Sequence, residues 1–83
     1  MKMNEVEANI KLFKFLGEPD TIKLMEILKK ENGGKKVWMF NDGGDILLIK
    51  DLAEYYALWL EPNEKGIDFI EELNRKINEK NKD

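Results

Sequence analysis

Residues 36–49, KVWMFNDGGDILLI, contain two short apolar runs on either side of a turn sequence. The four residues NDGG at 41–44 favour a tight chain reversal, because Asp-Gly tolerates the positive φ that hairpin turns require. The two runs are therefore predicted to be the antiparallel strands of a β-hairpin. A chain of only 83 residues has to arrange everything else around this hairpin.

Apolar side chains occupy both faces of the predicted hairpin. Successive side chains of a strand point to opposite faces, so Trp38 and Phe40 share one face and Met39 lies on the other. In the second strand, Leu47 and Ile49 alternate with apolar neighbours in the same way. A two-stranded ribbon alone is marginally stable in water. We therefore expect two helices on each face of the hairpin, and a second chain at an open strand edge.

Capping residues, prolines and glycines predict four helices around the hairpin. The first is capped by Asn4 and closed by Gly17, the second runs from Pro19 to the glycines at 33–34, the third is capped by Asp51 and ended by Pro62, and the fourth is capped by Asn63. The order is α-α-β-β-α-α, which is an α+β fold with one β-hairpin packed by four helices. Residues 1–83 are predicted to form a single domain in which residues 79–83 are a frayed tail.

Apolar residues at helical spacing predict which faces of these helices are buried. The predicted stripes are Val6, Ile10 and Phe13 in the first helix, widened by Leu12, Phe15 and Leu16; Ile22, Met25 and Leu28 in the second, flanked by Leu24 and Ile27; and Ile67, Ile70, Leu73 and Ile77 in the fourth, with Phe69 beside them. The third helix contains LAEYYALWL at 52–60, which is apolar nearly all round and predicts burial on several sides. Its aromatic residues are interpreted first as core, because a domain this small needs their area.

The missing residue types exclude most enzyme chemistry. The chain has no His, no Cys and no Ser, and its single threonine, Thr21, is interpreted as bonding to the local backbone. Nucleophilic catalysis needs an activated side chain, and zinc sites need His or Cys ligands. The carboxylates Glu64, Asp68, Glu71 and Glu72 are interpreted as a solvated acidic face. We therefore predict a protein that is not an enzyme and binds no cofactor or metal.

Charge and hydropathy predict a cytoplasmic protein. The net charge of −3 does not favour phosphate backbones, so nucleic acid is a disfavoured partner. The first seven residues, MKMNEVE, lack the apolar core of a signal peptide, and no run approaches membrane-spanning length. The abundance of Asn and Lys, together with the absence of Gln and Ser, is typical of an AT-rich genome and indicates a small bacterial or phage protein.

The favoured functional hypothesis is a protein-binding or regulatory module, such as an inhibitor, an immunity-like protein or a phage accessory protein. An apolar hairpin with free edges can pair with a second copy of the chain or accept a strand from another protein. The sequence predicts a homodimer formed through the hairpin edge. Aromatic residues that are exposed together dominate interface hot spots. The candidate partner-binding residues are Trp38, Phe40, Leu47, Ile49, Tyr55, Tyr56 and Trp59.

Residues 12–28, LFKFLGEPDTIKLMEIL, resemble the opening of ArsR-type winged-helix repressors. In that family a helix ends in Leu-Gly, an acidic-Pro pair follows, and the next helix begins Leu/Ile-Lys-Ile/Leu-Leu. The matching positions are Leu16, Gly17, Glu18, Pro19, Ile22, Lys23, Leu24 and Leu28. Thr21 stands where the family usually carries arginine. The family continues into a helix-turn-helix before its winged hairpin, whereas here the hairpin follows at once.

The resemblance implies an alternative function, that of a DNA-binding transcriptional regulator. KDLAEYYAL at 50–58 is similar to the first helix of a helix-turn-helix. The next segment, NEKGIDFIEEL, is acidic where base-reading and phosphate-binding side chains are needed. The candidate nucleic-acid contacts are the one basic concentration, Lys29, Lys30, Lys35 and Lys36. A solvated turn is the simpler interpretation of these lysines in a chain of net negative charge.

Overall fold

A computed structural model describes the backbone of residues 5–81 and the side chains of residues 9–79. Its elements are α1 (Glu5–Gly17), α2 (Pro19–Glu31), β1 (Trp38–Phe40), β2 (Ile46–Leu48), α3 (Lys50–Leu60) and α4 (Phe69–Asn81). The predicted α-α-β-β-α-α order and the α+β class are confirmed. The predicted Asn4 cap and residues 82–83 lie outside the described residues. Helix α4 continues to Asn81, so residues 79–81 of the predicted tail belong to this helix, and their fraying stays a prediction.

The hydrophobic core lies between the four helices. Its helical members are Phe15 and Leu16 in α1, Leu24 and Leu28 in α2, Leu52 and Tyr55 in α3, and Phe69 and Leu73 in α4. The hairpin adds Val37 and Ile46. Phe15 lies among aromatic rings, with centroid distances of 5.1 Å to Tyr56 and 5.5 Å to Trp59. The domain is therefore a cluster of helices with a hairpin attached to it.

The predicted buried face of α1 is correct for Phe15 and Leu16 and wrong for Ile10 and Phe13. Ile10 and Phe13 are exposed, whereas Phe15 and Leu16 are buried. The side chain of Val6 is not among those described. Apolar side chains surround most of α1, so their spacing alone does not decide which face turns inward. Packing of the Phe15 ring against the aromatic residues of α3 and α4 selects the face.

The predicted faces of α2 and α4 need a similar correction. The buried residues are Thr21, Leu24 and Leu28 in α2, and Phe69 and Leu73 in α4, with Ile77 packed against them. Ile22 and Ile70 are exposed, although the predicted stripes include them. Both helices offer more apolar residues than a core this small can enclose, so one apolar residue of each is left at the surface.

The predicted N-cap of α3 is wrong. The helix begins at Lys50, one residue before Asp51, and the preceding residue, Ile49, makes no side-chain cap. The Ile49 N–H donates to the Val37 carbonyl at 3.0 Å, and the Ile49 carbonyl accepts from the Ala53 N–H at 2.9 Å. The hairpin ladder and the helix therefore share Ile49, and no residue between them is left to act as a cap.

The predicted N-cap of α4 is also wrong, because Asn63 organises the loop that precedes the helix. Its Oδ1 accepts from the backbone N–H groups of Lys65 at 2.9 Å and Ile67 at 3.1 Å. The Oδ1 of Asp68 accepts from the Glu71 N–H at 2.9 Å and caps the helix. An eight-residue connection, 61–68, therefore separates α3 from α4.

The predicted hairpin turn is confirmed, but its positive φ lies at Gly44 (+80°) and not at Gly43. The Gly44 N–H donates to the Asn41 carbonyl at 3.0 Å, and the Asn41 N–H donates to the Asp45 carbonyl at 2.9 Å. This is a three-residue loop closed by a residue in the left-handed region. The Asn41 side chain completes the loop, because its Oδ1 accepts from the N–H groups of Gly43 and Asp45, both at 2.9 Å.

The helices cover the hairpin only in part. The antiparallel register pairs Trp38 with Leu48, Met39 with Leu47 and Phe40 with Ile46. Val37 and Ile46 are buried, but Met39, Phe40 and Leu47 remain exposed. The expectation of two helices on each face is therefore wrong. The helices pack mainly against one another, and they leave part of the apolar hairpin uncovered.

Candidate functional site

Five large apolar side chains lie exposed around the hairpin. They are Phe13 of α1, Ile22 of α2, Met39 and Phe40 of β1, and Leu47 of β2, each 47–53% exposed. We call this set the hairpin patch. A single exposed apolar residue is ordinary, whereas a contiguous group is typical of an interaction surface.

Phe40 connects the members of the hairpin patch. Its ring centroid lies 6.3 Å from that of Phe13, which joins α1 to the hairpin. Met39 is its neighbour in β1 and pairs with Leu47 across the ladder. Ile22 borders the same groove as Met39 and Phe40. The patch therefore covers both faces of the hairpin: Phe40 lies with Phe13 on one face, and Met39 lies with Leu47 on the other.

A groove of about 640 Å³ lies between α2 and β1. Its walls are Ile22, Met25, Glu26 and Lys29 of α2 and the consecutive residues 36–40. Among the described residues, none from β2 borders this groove, so β1 and the residues just before it form its hairpin wall. The walls are mainly apolar, which suits an extended segment with apolar side chains.

Within residues 5–81, the outer edge of β1 has no strand partner. In an antiparallel pair, the backbone groups of successive residues point alternately towards and away from the partner strand. Val37 and Asn41 bond across the hairpin, at 3.0 and 2.9 Å, so the odd-numbered residues of β1 face β2. The N–H and carbonyl groups of Trp38 and Phe40 therefore point outward, and such an unpaired row is a template for another strand.

The predicted partner-binding residues divide into two groups. Trp38, Phe40 and Leu47 lie on the hairpin in or beside the patch, and Ile49 packs against the core at the hairpin base. Tyr55, Tyr56 and Trp59 lie inside the helical cluster around Phe15 and Phe69. The structure does not bring these two groups together on one surface. The aromatic residues of α3 fit the core interpretation.

The patch also contains residues that sequence reasoning missed. The predicted stripes place Phe13 and Ile22 in the core, and Met39 is not among the predicted binding residues. A core of this size cannot enclose every apolar residue of α1 and α2. The hairpin register is a signal that could have identified Met39, because it pairs with Leu47 on the face away from the buried Ile46.

The tyrosine buried on α3 makes stability sensitive to alkaline pH. Burial raises the pKa of Tyr55 from 10.0 to about 12, and the Glu72 carboxylate adds to the rise. The unfolded chain loses this phenol proton near pH 10, whereas the folded chain keeps it until about pH 12. The protonated phenol of Tyr55 therefore makes its full contribution to the free energy of unfolding below pH 10. That contribution is lost as the pH rises from 10 to 12.

We expect Tyr55→Phe to weaken this alkaline loss of stability, because phenylalanine has no proton to release. Urea unfolding of both proteins at about pH 9, 10 and 11 measures the two slopes. All groups other than residue 55 are common to both proteins, so their contributions cancel in the comparison. Equal slopes for wild type and variant would contradict the assignment to Tyr55.

The four candidate nucleic-acid lysines are all exposed. Lys29 and Lys30 lie in the last turn of α2, where the helix dipole favours positive charge. Lys35 and Lys36 lie in the connection from α2 to β1. Lys29 and Lys36 both border the groove, together with Glu26. The structure therefore places positive charge at the rim of an apolar groove.

Basic side chains pair with the acidic residues of α4. Arg75 donates a hydrogen bond to Glu72, and Lys76 Nζ lies 2.8 Å from Glu31 Oε1, which links α4 to α2. The hydrogen bond from Arg75 lowers the pKa of Glu72, whereas a general acid needs a raised carboxyl pKa. Glu64, predicted to share this face, lies in the loop before α4. These ion pairs give Glu72 and Glu31 a structural role.

Thr21 is fully buried, and its hydroxyl has no hydrogen-bond partner. The expectation that it bonds to the local backbone is therefore wrong. It lies on the buried face of α2 with Leu24 and Leu28. A nucleophilic hydroxyl needs an adjacent base that accepts its proton, and Thr21 has no such contact.

No protein-family model, curated protein or solved structure matches the chain. In the part of the chain that the structure describes, no group of three or more acidic side chains is placed to hold a metal ion. None of the helices within residues 5–81 combines the length and apolar character needed to cross a membrane. The geometry of the hairpin patch and of the β1 edge is therefore the basis for a functional proposal.

Proposed function

We propose that this chain is a small, cytoplasmic, non-enzymatic protein-binding module with a regulatory role, as an inhibitor or accessory protein. It binds through the hairpin patch and the outer edge of β1. The observation that carries the proposal is the patch itself. Its five apolar side chains are about half exposed beside a strand edge whose backbone groups are unpaired.

An extended protein segment is the partner that fits this arrangement. A strand added to an open edge gains affinity from main-chain hydrogen bonds, and side-chain pockets give specificity. The outward groups of Trp38 and Phe40 supply the hydrogen bonds, and the apolar groove beside them supplies the pocket. A small polar molecule would leave the patch uncovered.

Substitutions within the patch test the proposal. Phe13→Ser and Leu47→Ser each remove a patch side chain outside β1, and Ile70→Ser is the control, because Ile70 is an exposed apolar residue of α4. Tagged proteins are used for affinity capture from cells of the native host, and the affinity of the recovered partner is then measured with purified components. We expect wild type and Ile70→Ser to bind equally, and each patch variant to bind roughly 5- to 30-fold more weakly.

Two results would contradict the proposal. One is the failure of the wild-type protein to retain any partner. The other is equal affinity of the partner for wild type and for both patch variants. Circular dichroism and thermal unfolding of each variant establish that a loss of binding does not come from loss of the fold.

DNA binding is the alternative, supported by the resemblance at residues 12–28 and by the exposed lysines around the groove. Two features weigh against it. The eight-residue connection between α3 and α4 is longer than a helix-turn-helix turn of about 3–4 residues, and the first turn of α4 carries Glu71 and Glu72. A salt titration distinguishes the two functions, because phosphate contacts make log affinity fall linearly with log salt. Duplex binding with such a slope would favour the alternative.

A further inference from the structure

We infer that the occupant of the β1 edge is a second copy of this chain, paired antiparallel through β1 about a two-fold axis at Met39. The two hairpins then form one four-stranded sheet. This inference rests on the proposed function, because it uses the same edge, and it adds the identity of the partner, the strand and the register.

Backbone direction restricts the possible registers. Only Trp38 and Phe40 of β1 point their N–H and carbonyl groups outward, so these residues have to pair with the same two residues of the copy. A two-fold arrangement allows three registers. In the first, Trp38 pairs with the partner's Trp38, and in the second, Phe40 pairs with the partner's Phe40. In the third, Trp38 pairs with the partner's Phe40, and Phe40 pairs with the partner's Trp38.

Charge selects the third register. It places Met39 against the partner's Met39 on the axis, and at both ends it brings Lys36, two residues before β1, near the partner's Asp42, the first residue of the turn after β1. Lys36 and Asp42 are both exposed and able to form this contact. The other two registers oppose Lys36 to the partner's Phe40 or the partner's Gly44, neither of which is charged. Opposite charges across a strand pair stabilise it, and the symmetry supplies the pair twice.

The outer edge of β2 lacks this self-complementarity. Its outward residues are the even-numbered ones, Ile46 and Leu48, because the odd-numbered ones face β1. The charged residues that flank β2 are Asp45 and Lys50. A register that pairs the outward residues of β2 sets even-numbered residues opposite even-numbered ones, and odd opposite odd. Asp45 and Lys50 differ in this respect, so no such register sets them opposite each other. The β1 edge is therefore the one that fits a second copy.

A second copy also covers what the single chain leaves open. A strand laid along β1 enters the groove and covers Ile22 and Met39, which are 47% and 52% exposed in the single chain. It satisfies the outward backbone groups of Trp38 and Phe40. Phe13 and Leu47 lie on other elements and stay exposed in the dimer, whereas the β1 edge is then occupied by the copy and not by a strand of a different protein.

Charge reversal tests the register. Lys36→Asp and Asp42→Lys each set like charges opposite each other, whereas the double variant restores opposite charges with their positions exchanged. Lys50→Asp is the matched control, because it makes the same charge change next to β2. Sedimentation velocity from about 1 to 500 µM gives the dissociation constant of the dimer for each protein. We expect each single reversal to weaken the dimer roughly 5- to 50-fold, and the double variant and the control to stay within about 3-fold of wild type.

Each other outcome overturns the inference. If the wild-type protein stays monomeric at every concentration, the second copy is not the occupant of the β1 edge. The proposed function is then tested separately, by affinity capture with wild type, Phe13→Ser and Leu47→Ser. Single variants that dimerise like wild type place the interface elsewhere on the molecule. If the single variants dimerise more weakly and the double variant does not recover the wild-type dissociation constant, the register is ruled out.

Discussion

Replacing Phe15 with alanine should lower the free energy of unfolding by about 3–5 kcal/mol. The side chain is fully buried, and its ring lies 5.1 to 5.5 Å from those of Tyr56, Trp59 and Phe69. Rigid rings around the site cannot collapse into the space that the substitution leaves. A domain of this length has a total stability of roughly 4–12 kcal/mol, so the variant should be close to unfolding at room temperature.

The matched control is Phe13→Ala, which makes the same substitution two residues earlier in α1. Phe13 is 53% exposed, so we expect a cost below about 1 kcal/mol. Urea unfolding followed by tryptophan fluorescence measures both variants, because Trp59 is in contact with the core. Equal costs at the two positions would show that the assigned buried face of α1 is incorrect.

Replacing Thr21 with valine should raise the free energy of unfolding by about 1–2 kcal/mol. The substitution exchanges a hydroxyl for a methyl group of similar size at a fully buried position. The hydroxyl has no hydrogen-bond partner, so the folded state bears the cost of removing it from water without compensation. A methyl group has no such cost.

Thr21→Ser provides the comparison, because serine keeps the hydroxyl and loses the methyl group. We expect it to be less stable than wild type by about 1 kcal/mol, from the lost burial and the space left behind. Thermal and urea unfolding of the three proteins give the ranking. If Thr21→Val is less stable than wild type, the Thr21 hydroxyl is hydrogen-bonded in solution. That result would contradict the assignment of an unpaired hydroxyl at this position.

The elements of the fold were predictable where local chemistry decides them. Pro19 and Pro62 fix where α2 begins and where α3 has ended, and the NDGG sequence at 41–44 specifies a tight reversal. These signals act over a few residues and do not depend on the rest of the chain. The element order follows from them, and the structure agrees with it.

The helix boundaries were harder to predict, because several residues can serve the same purpose. Asn63 and Asp68 both have a side-chain oxygen that can accept a backbone N–H bond. Asn63 uses it inside the loop, and Asp68 uses it at the start of α4. At α3 the competing constraint is the ladder bond of Ile49, which brings the helix directly against the strand. Local sequence does not distinguish these arrangements.

The candidate site could be predicted only in part. Sequence alternation shows that both faces of the hairpin are apolar, and it identifies Phe40 and Leu47. Which of these side chains stays exposed depends on how the helices pack against one another. Phe13 and Ile22 belong to the patch only because Phe15 and Leu24 occupy the core of α1 and α2 instead. The competition among apolar residues for a small core is decided by packing.

Amide hydrogen exchange in β1, measured by NMR at low and high protein concentration, tests most directly whether a second strand completes this hairpin. The N–H of Met39 points to β2 and should be protected at both concentrations. The N–H groups of Trp38 and Phe40 point outward, so we expect them to exchange freely in dilute protein and to become protected as the concentration rises. Outward amides that exchange freely at every concentration, or that are already protected in the monomer, would contradict the account.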